Sequence, residues 1–275
     1  MSDDSVILVP LDGRAAALPA LSVAKVFSGL EGAPVRILHV TEQALPAADL
    51  ARHLGLRTVE LAGASIEARA GEPAAAILAA AGDLHARLIV ICTHTAPGSP
   101  AAKVGATALS VLRGASCPVI LVNPARPLHD WRLRKVLLPH EGTPATSDAA
   151  KPGAELARRA GAELLVLLVA ASGAANPQEL GTLTSPFYLD QPQHEWPVWV
   201  GEFLDRLACA CPLDDVRVRL LLGRGSPSLE ILRVAREESV DLIVLVWKGK
   251  WSPEHAETLK AVVREAACPA MVVRV

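Results

Sequence analysis

VILVPLDG, residues 6–13, is a run of β-branched and leucine side chains that stops abruptly on Pro-Leu-Asp-Gly. The pattern returns as VLLPHEG at 136–142, with Pro139 matching Pro10, Glu141 matching Asp12 and Gly142 matching Gly13. Outward from that pair the correspondence continues in order. GAPVRILHV (32–40) matches GAELLVLLV (161–169) at the same offset, GEPAAAIL (71–78) matches GSPSLEIL (225–232), ARLIVI (86–91) matches VDLIVL (240–245), and SCPVILV (116–122) matches ACPAMVV (267–273). Landmarks that recur in one order along a chain mark an internal duplication.

Within each copy, ILVPL, RILHV, SIEARA, LIVIC and VILV are short apolar runs bounded by Gly, Pro or Asp. They lack strict alternation, which suits strands covered on both faces. Between them, AALPALSVAKVFSGL and PAAAILAAAGDLHA space their apolar residues as helices do. A βαβα rhythm of this kind gives a parallel, doubly wound sheet with right-handed crossovers. The fold class is therefore α/β, with two tandem doubly wound parallel-sheet domains at residues 1–124 and 132–275. NPARPLHDW (123–131), with two prolines and no periodicity, reads as the linker. VILVN and MVVRV close the two copies with apolar strands that would leave exposed edges. Pairing them would cover both edges and pack the copies as a pseudo-dimer.

The bulk numbers exclude several function classes. At 51% hydrophobic and 20% charged residues the chain builds a core, and a net charge of −2 leaves no footprint for nucleic acid or an anionic membrane. Its longest nearly unbroken apolar run, Leu164 to Ala171, falls far short of the ~20 residues that a membrane span needs. MSDDSVILV lacks a basic stretch ahead of its short apolar run, so no signal peptide is expected. Cys92, Cys117 and Cys268 sit in or beside apolar runs, as reduced thiols of a cytoplasmic protein do. Cys209 and Cys211 have the wrong spacing for a zinc knuckle, and no metal site is expected.

In an open parallel sheet, ligands lie beyond the carboxyl ends of the strands. Asp12 falls there, where a carboxylate can accept hydrogen bonds from a ribose. So does CTHTAPGSPAAKVGAT (92–107), small residues that lead into the helical pattern ATALSVLRGAS. Backbone N–H groups at that helix start favour an anion. Strand-Pro-x-Asp-Gly, a strand ending His-Val, Gly-x-Pro-x-x-x-Ile, Leu-Ile-Val with Thr-His, and Gly-x-x-x-x-x-Val-Leu before Cys-Pro-Val together resemble the universal stress protein family, and two copies in one chain resemble its tandem members. The resemblance implies a Rossmann-like fold similar to the adenine nucleotide alpha hydrolases, with the last strands of the copies meeting.

ATP-binding members of that family carry Gly-x-x-Gly, nine residues, then Gly-Ser or Gly-Thr. Here Cys92 and Thr95 stand at the first two glycine positions, residues 96–104 follow, and Gly105-Ala106 ends the motif. The resemblance implies Pro10 and Asp12 at the ribose end, the Val40 backbone at the adenine, His94 and Thr95 near the phosphates, and Gly105, Ala106 and Thr107 cradling them. A β-carbon at a Thr95 forced to positive φ costs about 1–2 kcal/mol. A lost serine hydroxyl on a charged phosphate costs about 1.5–3 kcal/mol. The cofactor expected is none, or weakly bound ATP or AMP in the first domain. The second copy has Val246 and Gly249 at the glycine positions, Glu141 for Asp12, a loop three residues shorter, and lysines 248, 250 and 260 opposed by Glu254 and Glu257. No nucleotide is expected there.

The copies diverge most between Val169 and Val216, a segment rich in Phe187, Tyr188, Trp196, Trp199 and Phe203. Trp199, Phe203 and Leu207 lie at i, i+4 and i+8, a helical stripe that packs on its own domain or forms a ligand lid or partner surface. Cys92 and His94, two apart on a strand end, could pair as nucleophile and base, but a core cysteine and a loop histidine are the plainer reading. His39 reads as a strand-end side chain. Three functions follow. The first is a non-catalytic stress-response protein acting through an unknown protein partner. The second is an ATP-binding switch using the first domain. The third is a small-ligand binder or enzyme built on the aromatic insert. Adenine nucleotide is the ligand expected, neither nucleic acid nor membrane is, and nothing in the sequence decides for or against a homodimer.

Overall fold

The computed structural model describes residues 5–42, 46–95, 102–126, 128, 130–141, 144–170, 192–211, 213–247 and 253–274. The chain divides into two compact units. Unit 1 runs to Arg132 and takes up Val263–Arg274, and unit 2 is Leu133–Val262.

Unit 1 opens with strand β1 (Ile7–Pro10), a short 3-10 turn (Ala15–Ala17) and helix α1 (Leu18–Glu31). Strand β2 (Val35–Val40), helices α2 (Ala47–His53) and α3 (Thr58–Leu61), strand β3 (Ala64–Arg69), helix α4 (Pro73–Asp83) and strand β4 (Leu88–Cys92) follow. A two-stranded ladder, β5 (His94–Thr95) and β6 (Ala102–Lys103), precedes helix α5 (Ala106–Gly114) and strand β7 (Val119–Val122). Unit 2 holds strand β8 (Lys135–His140), helix α6 (Pro144–Ala160), strand β9 (Glu163–Ala170), helix α7 (Pro192–Ala210), strand β10 (Arg217–Arg224), helix α8 (Pro227–Glu237), strand β11 (Leu242–Trp247) and most of helix α9 (Pro253–Glu265). The last strand, β12 (Ala270–Arg274), belongs to unit 1.

The strand order in unit 1 is β3-β2-β1-β4-β7-β12, with the first five parallel. From β1 the chain steps outward to β2 and β3, then crosses to β4 and β7 on the other side. Right-handed crossovers then put the helices of the two arms on opposite faces of the sheet. β1 and β7 are buried at every position, as apolar runs without alternation require. Unit 2 repeats the plan as β10-β9-β8-β11, all parallel. The last strand of the second copy, β12, pairs antiparallel with β7 inside unit 1, Met271 opposite Ile120. The terminal strands of the two copies thus meet, as their apolar character demanded.

Local chemistry sets the element ends. Gly32 takes φ 68° and closes α1 through its N–H to the Ser28 carbonyl at 2.9 Å, a left-handed cap that a Cβ would strain. Glu72 caps α4, its carboxylate accepting the N–H groups of Ala74 and Ala75 at 3.1 and 2.8 Å, and Pro73 occupies the first turn. In unit 2, Asp241 Oδ2 accepts the N–H groups of both Arg134 and Lys135 at 2.9 Å, tying the start of β8 to that of β11. α7 buries Phe203 and Leu207, which are 3% and 0% exposed. The stripe therefore packs on its own unit, against α6.

Candidate functional site in unit 1

The switch in strand order falls between β1 and β4. Beyond the carboxyl ends of those strands lies a cavity of about 280 Å³. Pro10, Leu11 and Asp12 come from the end of β1, Leu38 and Val40 from β2, and Ile91, Cys92 and Thr93 from β4. Pro73 and Ile77 of α4, Thr107 and Ala108 of α5, and Arg14, Ala16, Ala17 and Pro124 complete the wall.

Each wall residue is placed by its element. Leu38 and Val40 share one face of β2, so His39 between them faces the other way. There His39 is 7% exposed, its Nδ1–H donates to the Leu11 carbonyl at 2.8 Å, and its ring lies 5.3 Å from that of His53. His39 thus braces the end of β1 and stays out of the cavity. Gly13 takes φ 84°, the left-handed turn that lets the chain leave β1 just after Asp12. The Asp12 carboxylate accepts the Arg14 N–H at 3.0 Å, and its other oxygen lies 3.6 Å from Arg14 Nε. Both side chains remain open to solvent, Asp12 at 45% and Arg14 at 74%.

Cys92 contributes its thiol to the wall but not its reactivity. The sulfur donates to the Ala17 carbonyl at 3.4 Å, and burial pushes the thiol up to about 12. At neutral pH it is therefore not the thiolate that nucleophilic attack requires. Cys117 is likewise pushed up to about 11 by burial, and all five cysteines are free.

The described residues beyond Cys92 form structure of their own. Thr93 anchors them, its N–H and hydroxyl donating to the Val122 carbonyl at 2.8 and 3.2 Å. His94 then pairs with Lys103 and Thr95 with Ala102. Thr95 has no positive φ, so the strain expected of a β-carbon at that position does not arise. Gly105 caps α5 in an extended conformation without a side-chain hydrogen bond. The first N–H groups of α5 consequently lack an intrahelical acceptor.

Of the residues singled out in the sequence, Pro10, Asp12, Val40 and Thr107 meet at the cavity, with Gly105 and Ala106 directly preceding Thr107 at the helix start. His94 and Thr95 lie in the β5–β6 ladder. Sequence reasoning missed Arg14, Pro73, Ile77 and Thr93. The signal for Arg14 was its place directly after Asp-Gly, and that for Pro73 its place at the first turn of α4.

The corresponding place in unit 2 is built otherwise. A cavity of about 220 Å³ is lined by Pro139, His140, Glu141, Thr146, Leu167, Val169, Pro227, Ile231, Leu245, Val246, Thr258 and Leu259. His140 is 3% exposed, with Nε2 3.1 Å from Ser147 Oγ and Nδ1 3.3 Å from Thr146 Oγ1. Its ring meets Phe203 edge-on at 5.0 Å, and Phe203 stacks on Trp199. Burial holds His140 down at about 4, so the imidazole is neutral at pH 7. Lys260 pairs with Glu257 at 3.0 Å on the exposed face of α9, as a solvated charged helix does. Lys248, Gly249, Lys250, Phe187 and Tyr188 lie outside the described residues. Among the described residues no group of His, Cys, Asp and Glu could hold a metal ion, and no helix is long and apolar enough to cross a membrane.

Two tandem Rossmann-like α/β repeats, each with a cavity beyond its strand ends, define the class of protein. The sequence profile described as the Universal stress protein family matches residues 5–123 and again 132–274. The chain belongs to that family. A comparison with curated proteins returned no match. Solved structures share the fold. A functionally unknown protein from Pseudomonas aeruginosa PAO1 is similar at 16% identity and TM-score 0.70, over 98% of this chain and 92% of that one. A universal stress protein from Archaeoglobus fulgidus DSM 4304 is similar at 16% identity and TM-score 0.69, over 100% and 99%. A putative universal stress protein from Pseudomonas aeruginosa UCBPP-PA14 is similar at 17% identity and TM-score 0.69, over 98% and 92%.

Proposed function

We propose that this universal stress protein is a non-catalytic regulator that acts by binding, with a weak adenine nucleotide site in unit 1 and none in unit 2. The observation that carries this reading is the unit 1 cavity, where an apolar slot ends on a solvent-open carboxylate and an uncapped helix start. Leu38, Val40 and Ile77 offer flat apolar surface for a purine. Asp12 stands where ribose hydroxyls can donate, and the N–H groups of α5 suit a phosphate. The volume, about 280 Å³, is at the small end of ligand pockets, which span about 300–1,000 Å³. It favours a nucleoside monophosphate over a triphosphate. Weakness follows from the missing motif serine and from side chains at Cys92 and Thr95, where the motif's glycines would leave backbone bare to a phosphate. Among the described wall residues the one thiol, Cys92, is protonated and the neighbouring His39 faces away, which supports binding without hydrolysis.

In unit 2 the wall presents Glu141 and a neutral His140, neither of which attracts a phosphate. Isothermal titration with AMP and ATP tests the reading. Dissociation constants of the order of 0.1–1 mM are expected, equivalent to about 4–5.5 kcal/mol, with one site per chain and no phosphate released. Asp12→Ala should abolish the heat signal. Absence of binding by the unaltered protein at millimolar nucleotide, or two equivalent sites, would overturn it.

A further inference from the structure

Arg14 has two attachments to Asp12 of different kinds. Its backbone N–H bonds Oδ1 at 3.0 Å, whereas its guanidinium stands 3.6 Å from Oδ2. A charge-assisted hydrogen bond closes to about 2.7–2.9 Å, so the side chain is held loosely. It is also 74% exposed, and exposed ion pairs exchange partners at little cost. The backbone bond fixes the Asp12 carboxylate whatever the side chain does. The guanidinium is thus free to move without loss of the carboxylate's position.

Beyond the N–H groups at the start of α5, the described lining offers an anion little else. Arg14 is the only cation among its described lining residues. The glycines that would bring bare backbone to a phosphate are replaced by Cys92 and Thr95, and Thr95 is paired in the β5–β6 ladder. Helix α4 supplies its own anion through Glu72, but α5 has no side-chain cap, and Thr107 and Ala108 of its first turn face the cavity.

We infer that Arg14 is the anion-holding and specificity-determining residue of this cavity, which swings from Asp12 to the phosphate of a bound nucleotide and so selects nucleotides over nucleosides. The inference rests on the nucleotide reading above. A nucleoside leaves the guanidinium on Asp12, where it competes with the ribose hydroxyls for Oδ2. A phosphate beside the start of α5 draws the guanidinium away and releases that oxygen to the ribose. Phosphate and ribose recognition are coupled through one side chain.

Titration calorimetry of the full chain with AMP and with adenosine, for the unaltered protein, R14Q, R14K and D12A, tests this. AMP should bind at least about tenfold more tightly than adenosine, and R14Q should weaken AMP by about ten- to a hundredfold while leaving adenosine unchanged or slightly tighter. R14K should recover most of the loss, and AMP affinity alone should fall as salt rises. Equal weakening of both ligands by R14Q would show that Arg14 merely positions Asp12, and would overturn the inference. Unchanged AMP binding by R14Q, with binding abolished by D12A, would overturn it too and leave the nucleotide reading standing. Failure of the unaltered protein to bind either ligand would remove both.

Discussion

The ends of β1 and β8 began as one sequence, and the two units now use them in opposite ways. Past β1, the polar atoms face outward: Asp12 and Arg14 are open to water and joined by a loose pair. At the end of β8, His140 faces inward, while Glu141 just beyond it is exposed as Asp12 is. His140 spends both ring nitrogens on Thr146 and Ser147, and its edge packs on an aromatic ring brought by α7. The contrast teaches that a strand end in a doubly wound sheet is a place for polar chemistry, but the neighbouring helix decides whether that chemistry is available to a ligand. In unit 1 the connection from β2 to β3 carries two short helices. In unit 2 the equivalent connection carries α7, whose Phe203 reaches His140.

The largest expected effect tests that helix. Phe203→Ala removes a ring that is 3% exposed and should destabilise unit 2 by about 3–5 kcal/mol in urea denaturation, with AMP binding in unit 1 untouched. A loss below about 1 kcal/mol would break the comparison, because α7 would then be no part of the unit 2 core. Next comes pH. His140 titrates at about 4 in the folded chain against an ordinary 6.5, so the unfolded chain binds more protons between those values. Its contribution is present above pH 6.5 and is lost as pH falls toward 4, up to about 3 kcal/mol. His140→Gln should remove that part of the slope, whatever the substitution costs at neutral pH. Carboxylates such as Glu155 and Glu238, held low chiefly by arginine hydrogen bonds, lose stability at still lower pH in both proteins and cancel in the difference.

The smallest effect compares two helix starts. Glu72→Ala deletes a cap whose carboxylate is held below its usual range by the N–H groups of Ala75 and Ala74, and should lower the denaturation midpoint slightly. Ser226 makes no side-chain cap bond at the matching start of α8. Ser226→Ala should leave the midpoint where it was. Equal losses would mean that the two starts are satisfied alike.

Most of the sheet was legible because it depends on apolar runs and on their repetition. VILVPLDG and VLLPHEG each place a buried strand ahead of a turn, and neither needs knowledge of a partner far away. The spacing of Trp199, Phe203 and Leu207 was legible for the same reason, as a helix's period marks its buried face. Asp12 and Thr107 were placed by their elements. What stayed hidden depends on side-chain partners. His140 carries no mark of burial, since its hydroxyl partners lie across a strand-to-helix turn and its aromatic neighbour is on α7. The β5–β6 ladder joins His94-Thr95 to Ala102-Lys103, pairs with no alternation to announce a strand. The short helices α2 and α3 are broken apart at Gly55, which takes φ 65°, and fall below the length at which periodicity speaks.

The position of β12 carries a consequence for how the molecule is assembled in time. The strand that flanks β7 is encoded after the whole of unit 2. At translation rates of about 5–20 residues per second, the first unit waits on the order of ten seconds for its last strand. Through that interval β7 carries an unpaired row of N–H and C=O groups, the kind of border to which another nascent chain can add itself. The first half of the sequence therefore has an unfinished rim until the second half has been synthesised, and excising it at the linker would make that condition permanent.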